Sequence, residues 1–406
     1  MTEKMDKQKP LEGVLVLDLT RVLAGPYCGM MLADMGATVI KIENPLGGDD
    51  SRHFGPPYIK GESTYFMAIN RGKYSLALDL KKSEGKDIFL KLSEQADVVL
   101  ENFRPGVMEK LGFGYEDLRK INPGIIYAAI SGFGHSGPLK NFPGYDLVVQ
   151  AMGGIMSISS YQENGPFTKV GVSEADIVAG MFAAFGIALA LYQRQKTKIG
   201  QKIDVGMLDC QFAFLKPFVE NYLNLKIVSR PVGNRHPLIA PFGVFKTRDS
   251  EIVICCGNQR LWEKLCQVLR CEYLIKDRLF IDNASRTRNH QALKDVLEEI
   301  TGTRTTRQWL GLLTKAGIPC GTINTMKDVC RLKHIRQRNM IKKLYHRHIG
   351  IFKTSGIPVK MSAASDELSQ PAPTLGEHSS FILKQYLKMS AKQIRELKEK
   401  KIIGGN

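Results

Sequence analysis

The sequence predicts an α/β protein: an open, mostly parallel sheet built by the first two hundred or so residues, with a smaller α+β domain after it. Two observations carry this. Short β-branched runs alternate with helical patterns along the N-terminal half, and the pattern changes to hairpin-like alternation beyond the proline-bearing stretch 217–241.

In order, residues 13–18 (GVLVLD) read as a buried strand. Residues 24–35 read as a helix entered through Gly25-Pro26, and 37–43 (ATVIKIE) as a second strand. Strand, helix and strand in so short a span make a βαβ unit, which requires parallel pairing. The pattern repeats with a strand at 75–79, an amphipathic helix at 83–95, and strands at 96–101 and 124–131. Residues 243–246 and 251–255 alternate as a hairpin across a turn at 247–250, and helical patterns follow at 261–269, 289–301 and 307–316. The stretch 356–378 reads as extended and loop-like. Helices are expected at 379–389 and 391–401, the first apolar enough to pack back on the large domain. The expected domains are therefore 1–225, 226–325 and a returning segment 326–406.

A chain of 406 residues exceeds one ordinary core, in keeping with two domains. Its 43% hydrophobic and 24% charged residues exclude a fibrous or largely disordered protein. The formal charge of +17 points to an anionic partner or substrate: nucleic acid, a membrane surface or a phosphate-bearing molecule. The eight cysteines are dispersed and form no CxxC pair, so no zinc-ligand spacing arises and reduced thiols in an intracellular compartment are expected. The opening MTEKMDKQKP has no apolar h-region and reads as no signal peptide, and the tail IIGGN as no retention or peroxisomal address. Residues 177–192 are apolar but short and rich in Gly and Ala, so a buried helix is expected there and no membrane association.

Several motifs fail on context. Gly132, Gly134 and Gly137 satisfy GxGxxG, but Pro138 and Pro143 follow where a helix should start, so the glycines are read as permitting a close turn. Around Ser136 the nucleophile-elbow pattern is broken by Pro138. Asn70-Arg-Gly-Lys-Tyr74 lacks the spacing and hydroxyl of a P-loop. Residues 331–348 carry seven Lys or Arg, three His and no acid, with Tyr345 the one aromatic among them; they read as a solvated basic face, with no nucleic-acid module.

Asp176 is the informative carboxylate. It lies in Gly171-Val-Ser-Glu-Ala-Asp-Ile-Val-Ala-Gly180, where the apolar helix begins. It fits a helix cap, and it fits a positioned nucleophile made more reactive by desolvation. The residues alone leave both readings open.

A resemblance bears on that choice. Leu17-Asp-Leu-Thr-Arg-Val-Leu-Ala-Gly-Pro26, Gly36-Ala-Thr-Val-Ile-Lys-Ile-Glu43-Asn-Pro45 and Asn70-Arg-Gly-Lys73 resemble segments of the family III (CaiB/BaiF-type) CoA transferases. So do Glu101-Asn-Phe-Arg-Pro-Gly106, Gly144-Tyr-Asp146, Asp176-Ile-Val-Ala-Gly180 and Pro373-Thr-Leu-Gly-Glu-His378, in order over nearly the whole chain. The resemblance implies a Rossmann-like large domain made from both ends of the chain, a smaller α+β domain between, and an interlocked homodimer. It implies transfer of CoA from succinyl-CoA to a small dicarboxylic acid (glutarate or 3-hydroxy-3-methylglutarate) through an aspartyl-CoA thioester on Asp176. Coenzyme A thioesters are then substrates, with no permanently bound cofactor and no metal, and a mitochondrial location follows from likeness to animal members.

By the same resemblance Lys73, Lys110 with Leu111, Lys140 and Tyr145 fall on CoA-contact positions, with Arg104 and Arg52 as weaker candidates. Gly233-Asn-Arg-His-Pro237 matches a mobile loop over the acyl site, where Arg235 and His236 are expected to hold the distal carboxylate of a dicarboxylic acyl group. Tyr145 stands where racemase members carry His, and Leu23 where formyl-transferring members carry Gln. An epimerase of the same fold and a basic nucleic-acid-binding protein are the alternatives.

Overall fold

The computed structural model describes residues 8–405; residues 1–7 and Asn406, on which the readings of the two termini partly rest, lie outside the described residues. The chain divides into two compact units. The larger runs up to Ile155, resumes over Val170–Asn224, and takes in the chain from His334 onward. The smaller comprises Met156–Lys169 and Leu225–Lys333. It therefore holds a short segment, 156–169, that the sequence reading had left in the large domain, and it ends later than 325.

The larger unit is built on six parallel strands: β1 (Leu15–Asp18), β2 (Thr38–Glu43), β3 (Lys73–Ala77), β4 (Val98–Glu101), β5 (Ile126–Ser131) and β6 (Gln201–Gly206), in the order β3-β2-β1-β4-β5-β6. Strand side chains alternate between the two faces. Leu17, Ile40, Ile42, Leu76, Val99 and Tyr127 enter one core with Ile88 and Phe89 and with Ile382 and Leu383 from the returning C-terminal segment. Val16, Val39, Val98, Leu100, Ile126 and Ile130 enter the other. Both faces are thus covered, as a parallel sheet requires.

The second core is closed by α1 (Ala24–Asp34) and by a long helix. Between them in sequence lie α2 (Thr64–Ile69), α3 (Ser83–Ser93), α4 (Val107–Leu111) and α5 (Asp146–Met152); the long helix is α6 (Glu174–Thr197). Ala175, Ala179, Gly180, Ala183 and Ile187 form its buried face, and these small residues let α1 approach closely. The opposite face stays out: Phe185, Leu189 and Tyr192 are each more than half exposed. The expected buried helix is therefore buried along one side only: the sheet and the helices packed on it cover one face of this 24-residue apolar helix and leave the other open.

The smaller unit pairs β7 (Phe242–Lys246), β8 (Glu251–Cys255) and β9 (Cys320–Thr322) antiparallel in the order β9-β8-β7. Helices α7 (Gln259–Leu269), α8 (His290–Thr301) and α9 (Thr306–Lys315) supply Trp262, Leu265, Leu293, Leu297, Trp309 and Leu313 to its core beside Phe245, Ile252 and Ile254. In the larger unit, residues of the basic stretch form one strand of a hairpin, β10 (Ile341–His346) and β11 (Gly350–Ser355). The stretch is not wholly a solvated face. Lys342 is buried with its ammonium 2.9 Å from Glu367 Oε1, and His346 is buried, while Lys343, Tyr345 and Arg347 between and beyond them point outward.

Candidate active site

Parallel α/β sheets bind ligands beyond the carboxyl ends of their strands. Here the loop that leaves β1 at that end is held by buried charge. Asp18 Oδ1 accepts from the Thr20 N–H at 2.9 Å, the Lys41 ammonium donates to Thr20 O at 2.7 Å, and Asp49 Oδ1 accepts from the Val22 N–H at 3.0 Å. Burial opposes the charge on Asp49, but Lys41 beside it and two backbone donors bring its carboxyl down to about 2. Val22 itself sits at φ +69°, a left-handed conformation costly for a β-branched residue and sustained by these contacts. On the other side Asn102 clamps the loop reciprocally: its Oδ1 accepts from the Arg21 N–H and its Nδ2 donates to Arg21 O, both at 2.8 Å.

The fixed loop ends at Ala24, the first residue of α1, whose backbone N–H donates to the carboxylate of Asp176. Asp176 lies in the first turn of α6. Burial, and then the like charge of Asp146, push its carboxyl up to about 7 against the opposing pull of the Ala24 N–H. Near neutral pH it is therefore divided between acid and carboxylate. Asp146 is anchored in turn: its Oδ1 accepts from the Ala175 N–H at 3.0 Å and its Oδ2 from Gln150 Nε2 at 2.8 Å. It is Asp146, not Asp176, that takes a first-turn amide of α6. That leaves the Asp176 side chain to the cavity and separates it from the capping role the sequence also allowed. Tyr65, on α2, senses the same charges: burial, then Asp176, Asp146 and Asp49, push its phenol up to about 12, so it stays a donor.

The cavity beside Asp176 has a volume of about 310 Å³, and Arg21, Asn102, Arg104, Lys140 and Tyr145 share its wall. Gly132 and Gly144 form one side. A Cβ on Gly144 would stand 2.9 Å from Gly132 Cα, so the close turn expected at Gly132 is a backbone-to-backbone contact that admits no side chain. A second cavity, of about 590 Å³, shares Arg21, Asp50, Phe103 and Val107 with the first and continues to Asn44, Lys81 and Leu111. The two cavities adjoin at these shared residues.

Four of the expected residues, Asp176, Arg104, Lys140 and Tyr145, meet in the first cavity, and Leu111 lines the second. Lys110 is exposed on α4 and lines neither. Lys73 is a correction. It is fully buried, and its three ammonium protons are taken by Asp18 Oδ2 at 2.8 Å, Pro26 O at 2.9 Å and Asn70 Oδ1 at 2.9 Å. A lysine has three donors and no more, so none remains for a phosphate. Burial opposes ionisation of Asp18, and Lys73 with Lys41 outweighs it, holding that carboxyl below its ordinary value. Arg52 is likewise committed, forked onto Glu43 with two contacts of 2.7 Å. In the smaller unit Gly233 and Arg235 line a separate cavity, whereas His236 turns its Nδ1 to the Leu238 N–H and is not on the wall. Tyr65, Asn44 and Lys81 were missed by the sequence reading; neither periodicity nor spacing marks them.

The family model described as CoA-transferase family III matches residues 11–379. The chain belongs to CoA-transferase family III. Like other members of that family it is a CoA transferase, and its relatives differ in the acids they are named for. It is 43% identical over 384 residues to the acetyl-CoA:oxalate CoA-transferase of Acetobacter aceti, covering 94% of this chain and 97% of that protein. It is 38% identical over 392 residues to the succinyl-CoA:glutarate CoA-transferase of Mus musculus, covering 97% and 90%. Among solved structures, a CaiB/BaiF family protein from Brucella suis superimposes with a TM-score of 0.83 at 39% identity, over 93% of this chain and all of that one. The Rossmann-like parallel sheet with a smaller α+β unit is thus a family III CoA-transferase fold.

Proposed function

We propose that this CoA transferase moves CoA from succinyl-CoA to a small dicarboxylic acid such as glutarate or 3-hydroxy-3-methylglutarate, with Asp176 as nucleophile. The observation that carries the reading is the state of Asp176: a partly desolvated carboxylate, given one backbone donor, on the wall of a cavity with Arg21, Arg104 and Lys140.

The Asp176 carboxylate attacks the thioester carbonyl; the C–S bond breaks, CoA thiolate leaves, and a mixed anhydride forms. The thiolate attacks the aspartyl carbonyl of that anhydride, releasing succinate and leaving an aspartyl-CoA thioester. The acceptor carboxylate attacks this thioester to give a second anhydride and CoA thiolate. Attack of the thiolate on the acceptor's acyl carbonyl yields the new thioester and restores the Asp176 carboxylate. Each step exchanges one activated acyl group for another, so no large barrier arises from loss of activation. The Ala24 N–H, directed at the aspartyl oxygens, is suited to oxyanion stabilisation.

The 590 Å³ cavity with Asn44 and Lys81 suits the nucleotide end of CoA, and Arg21, Arg104 and Lys140 suit its phosphates. The exposed apolar face of α6 supports the homodimer, since a monomer rarely leaves so continuous a stripe in water. A mitochondrial location is part of the same proposal, and cell fractionation is its test.

A second reading has a specific observation in its favour: the relative at 43% identity is named for acetyl-CoA and oxalate. Exchange assays crossing succinyl-CoA and acetyl-CoA with glutarate, 3-hydroxy-3-methylglutarate and oxalate decide between them. The proposal expects succinyl-CoA with glutarate or 3-hydroxy-3-methylglutarate to give the highest kcat/KM. A preference for acetyl-CoA with oxalate would replace it.

A further inference from the structure

The smaller unit holds a cavity of about 410 Å³ in which a carboxylate is already bound, and the chain itself supplies it. Glu163 accepts from Arg235 Nη2 at 3.1 Å through Oε1, and His290 Nε2 lies 2.9 Å from its Oε2. The three residues come from separate stretches of the unit, so the cluster is a product of the fold and not of local sequence. Glu163 is held there by its backbone, through an isolated bridge to Val232 and the Asn164 N–H to Pro231 O. Its side chain remains 44% exposed, so water and solutes reach the pair.

Arg235 is under-used in this arrangement. Its Nε is buried and, among the described residues, has no partner. A guanidinium binds a carboxylate best through two parallel N–H donors, and Glu163 engages one. A free carboxylate in the place of Glu163 meets the same two groups, Arg235 Nη2 and His290 Nε2. Lys294, on the same wall and 3.7 Å from Glu298 Oε1, is a second cation near the far end of a bound diacid.

We propose that Arg235 and His290 form a carboxylate-binding site that Glu163 occupies in the free protein and that a carboxylate of the small dicarboxylic substrates takes over. The substrate class rests on the function proposed above; the site itself does not. Glu163 stands thirteen residues before Asp176, in the segment that runs into α6. Val170, on the way, donates its N–H to Gln150 Oε1 at 2.9 Å, and the same Gln150 holds Asp146.

The test uses the full-length chain carrying Asp176→Asn, so that binding is read without turnover. Glutarate is titrated calorimetrically into this protein and into versions with Glu163→Gln or Arg235→Gln added. Removing the internal competitor is expected to tighten glutarate about tenfold, or about 1.4 kcal/mol, and Arg235→Gln to abolish that binding even beside Glu163→Gln. A parallel titration compares succinyl-CoA with butyryl-CoA, which lacks the terminal carboxylate. Tightening of succinyl-CoA alone would identify the thioester's free end as the ligand; tightening of glutarate would identify the free acid. No tightening of either overturns the proposal. Should Glu163→Gln melt early, His290 ring resonances of the unaltered chain serve instead: glutarate must shift them, and unmoved resonances count against the site. Since no step requires CoA exchange, failure here would leave the transferase reading intact, and an inert enzyme could still show the site.

Discussion

The carbonyl oxygen of Ala24 lies 2.6 Å from where a Cβ on Gly180 would stand. Gly180 is one helical turn beyond Asp176, on the same face of α6, and Ala24 also gives its N–H to the Asp176 carboxylate. One residue of α1 thus touches α6 at two successive turns, and the absence of a side chain at Gly180 sets how close the donor comes.

Gly180→Ala should therefore damage catalysis before it damages binding. The added methyl must push Ala24 back and carry its N–H off Asp176. A loss of stability of about 1–3 kcal/mol is expected from overpacking, with kcat falling more than tenfold and KM for the acyl-CoA changing little. Steady-state kinetics beside a melting curve check this; an unchanged kcat would mean the Ala24 contact is idle.

Asp146→Asn tests the like charge. Removing it lets Asp176 ionise at lower pH, while the Asn oxygen can still accept from the Ala175 N–H. The acid limb of kcat/KM should move to lower pH relative to the parent, whose Asp176 carboxyl sits at about 7. A limb that stays in place would assign the whole rise to burial.

The same shift has a consequence for stability. Asp176 is raised from 3.8, so between that value and about 7 the folded chain keeps a proton that the unfolded chain has lost. The stability present below 3.8 is lost as pH climbs through 7. Asp176→Asn cannot ionise, so it should melt above the parent, and by more at pH 8 than at pH 5. Melting temperatures at the two pH values decide it; equal gains would contradict the assignment.

Lys73 and Lys140 should separate cleanly. Lys73→Met takes from the buried Asp18 carboxylate its direct ion-pair partner, leaving Lys41 and Thr20, and should cost about 3 kcal/mol by denaturant titration. Lys140→Ala should leave the melt unchanged and raise KM for the acyl-CoA about tenfold, as expected from losing roughly 1.5 kcal/mol of charge-assisted contact, with a weaker dependence of KM on salt.

Much of this was legible in the sequence for physical reasons. Strands β1, β2, β4 and β5 lie inside a sheet covered on both faces, so they are rich in apolar, largely β-branched residues, with Lys41 the one charge inside a run, and announce themselves. Strand β6 sits at the sheet edge, with Lys202 and Asp204 in a half-open environment, and its mixed pattern gave no such signal. Asp176 stood out because a carboxylate opening a long apolar helix is chemically conspicuous. Lys73 misled for the opposite reason. A lysine in an Asn-Arg-Gly-Lys run reads as a phosphate ligand, and its true partners, at positions 18, 26 and 70, converge only after the sheet forms. His290 and Tyr65 were invisible on the same ground: each meets its carboxylate across more than a hundred residues.

The most direct test of the central claim is intact-protein mass spectrometry after mixing the enzyme with succinyl-CoA, beside Asp176→Ala. The account predicts a CoA adduct on the parent, absent from the variant and discharged by glutarate. Transfer that proceeds with no adduct, or an adduct that persists without Asp176, would contradict it.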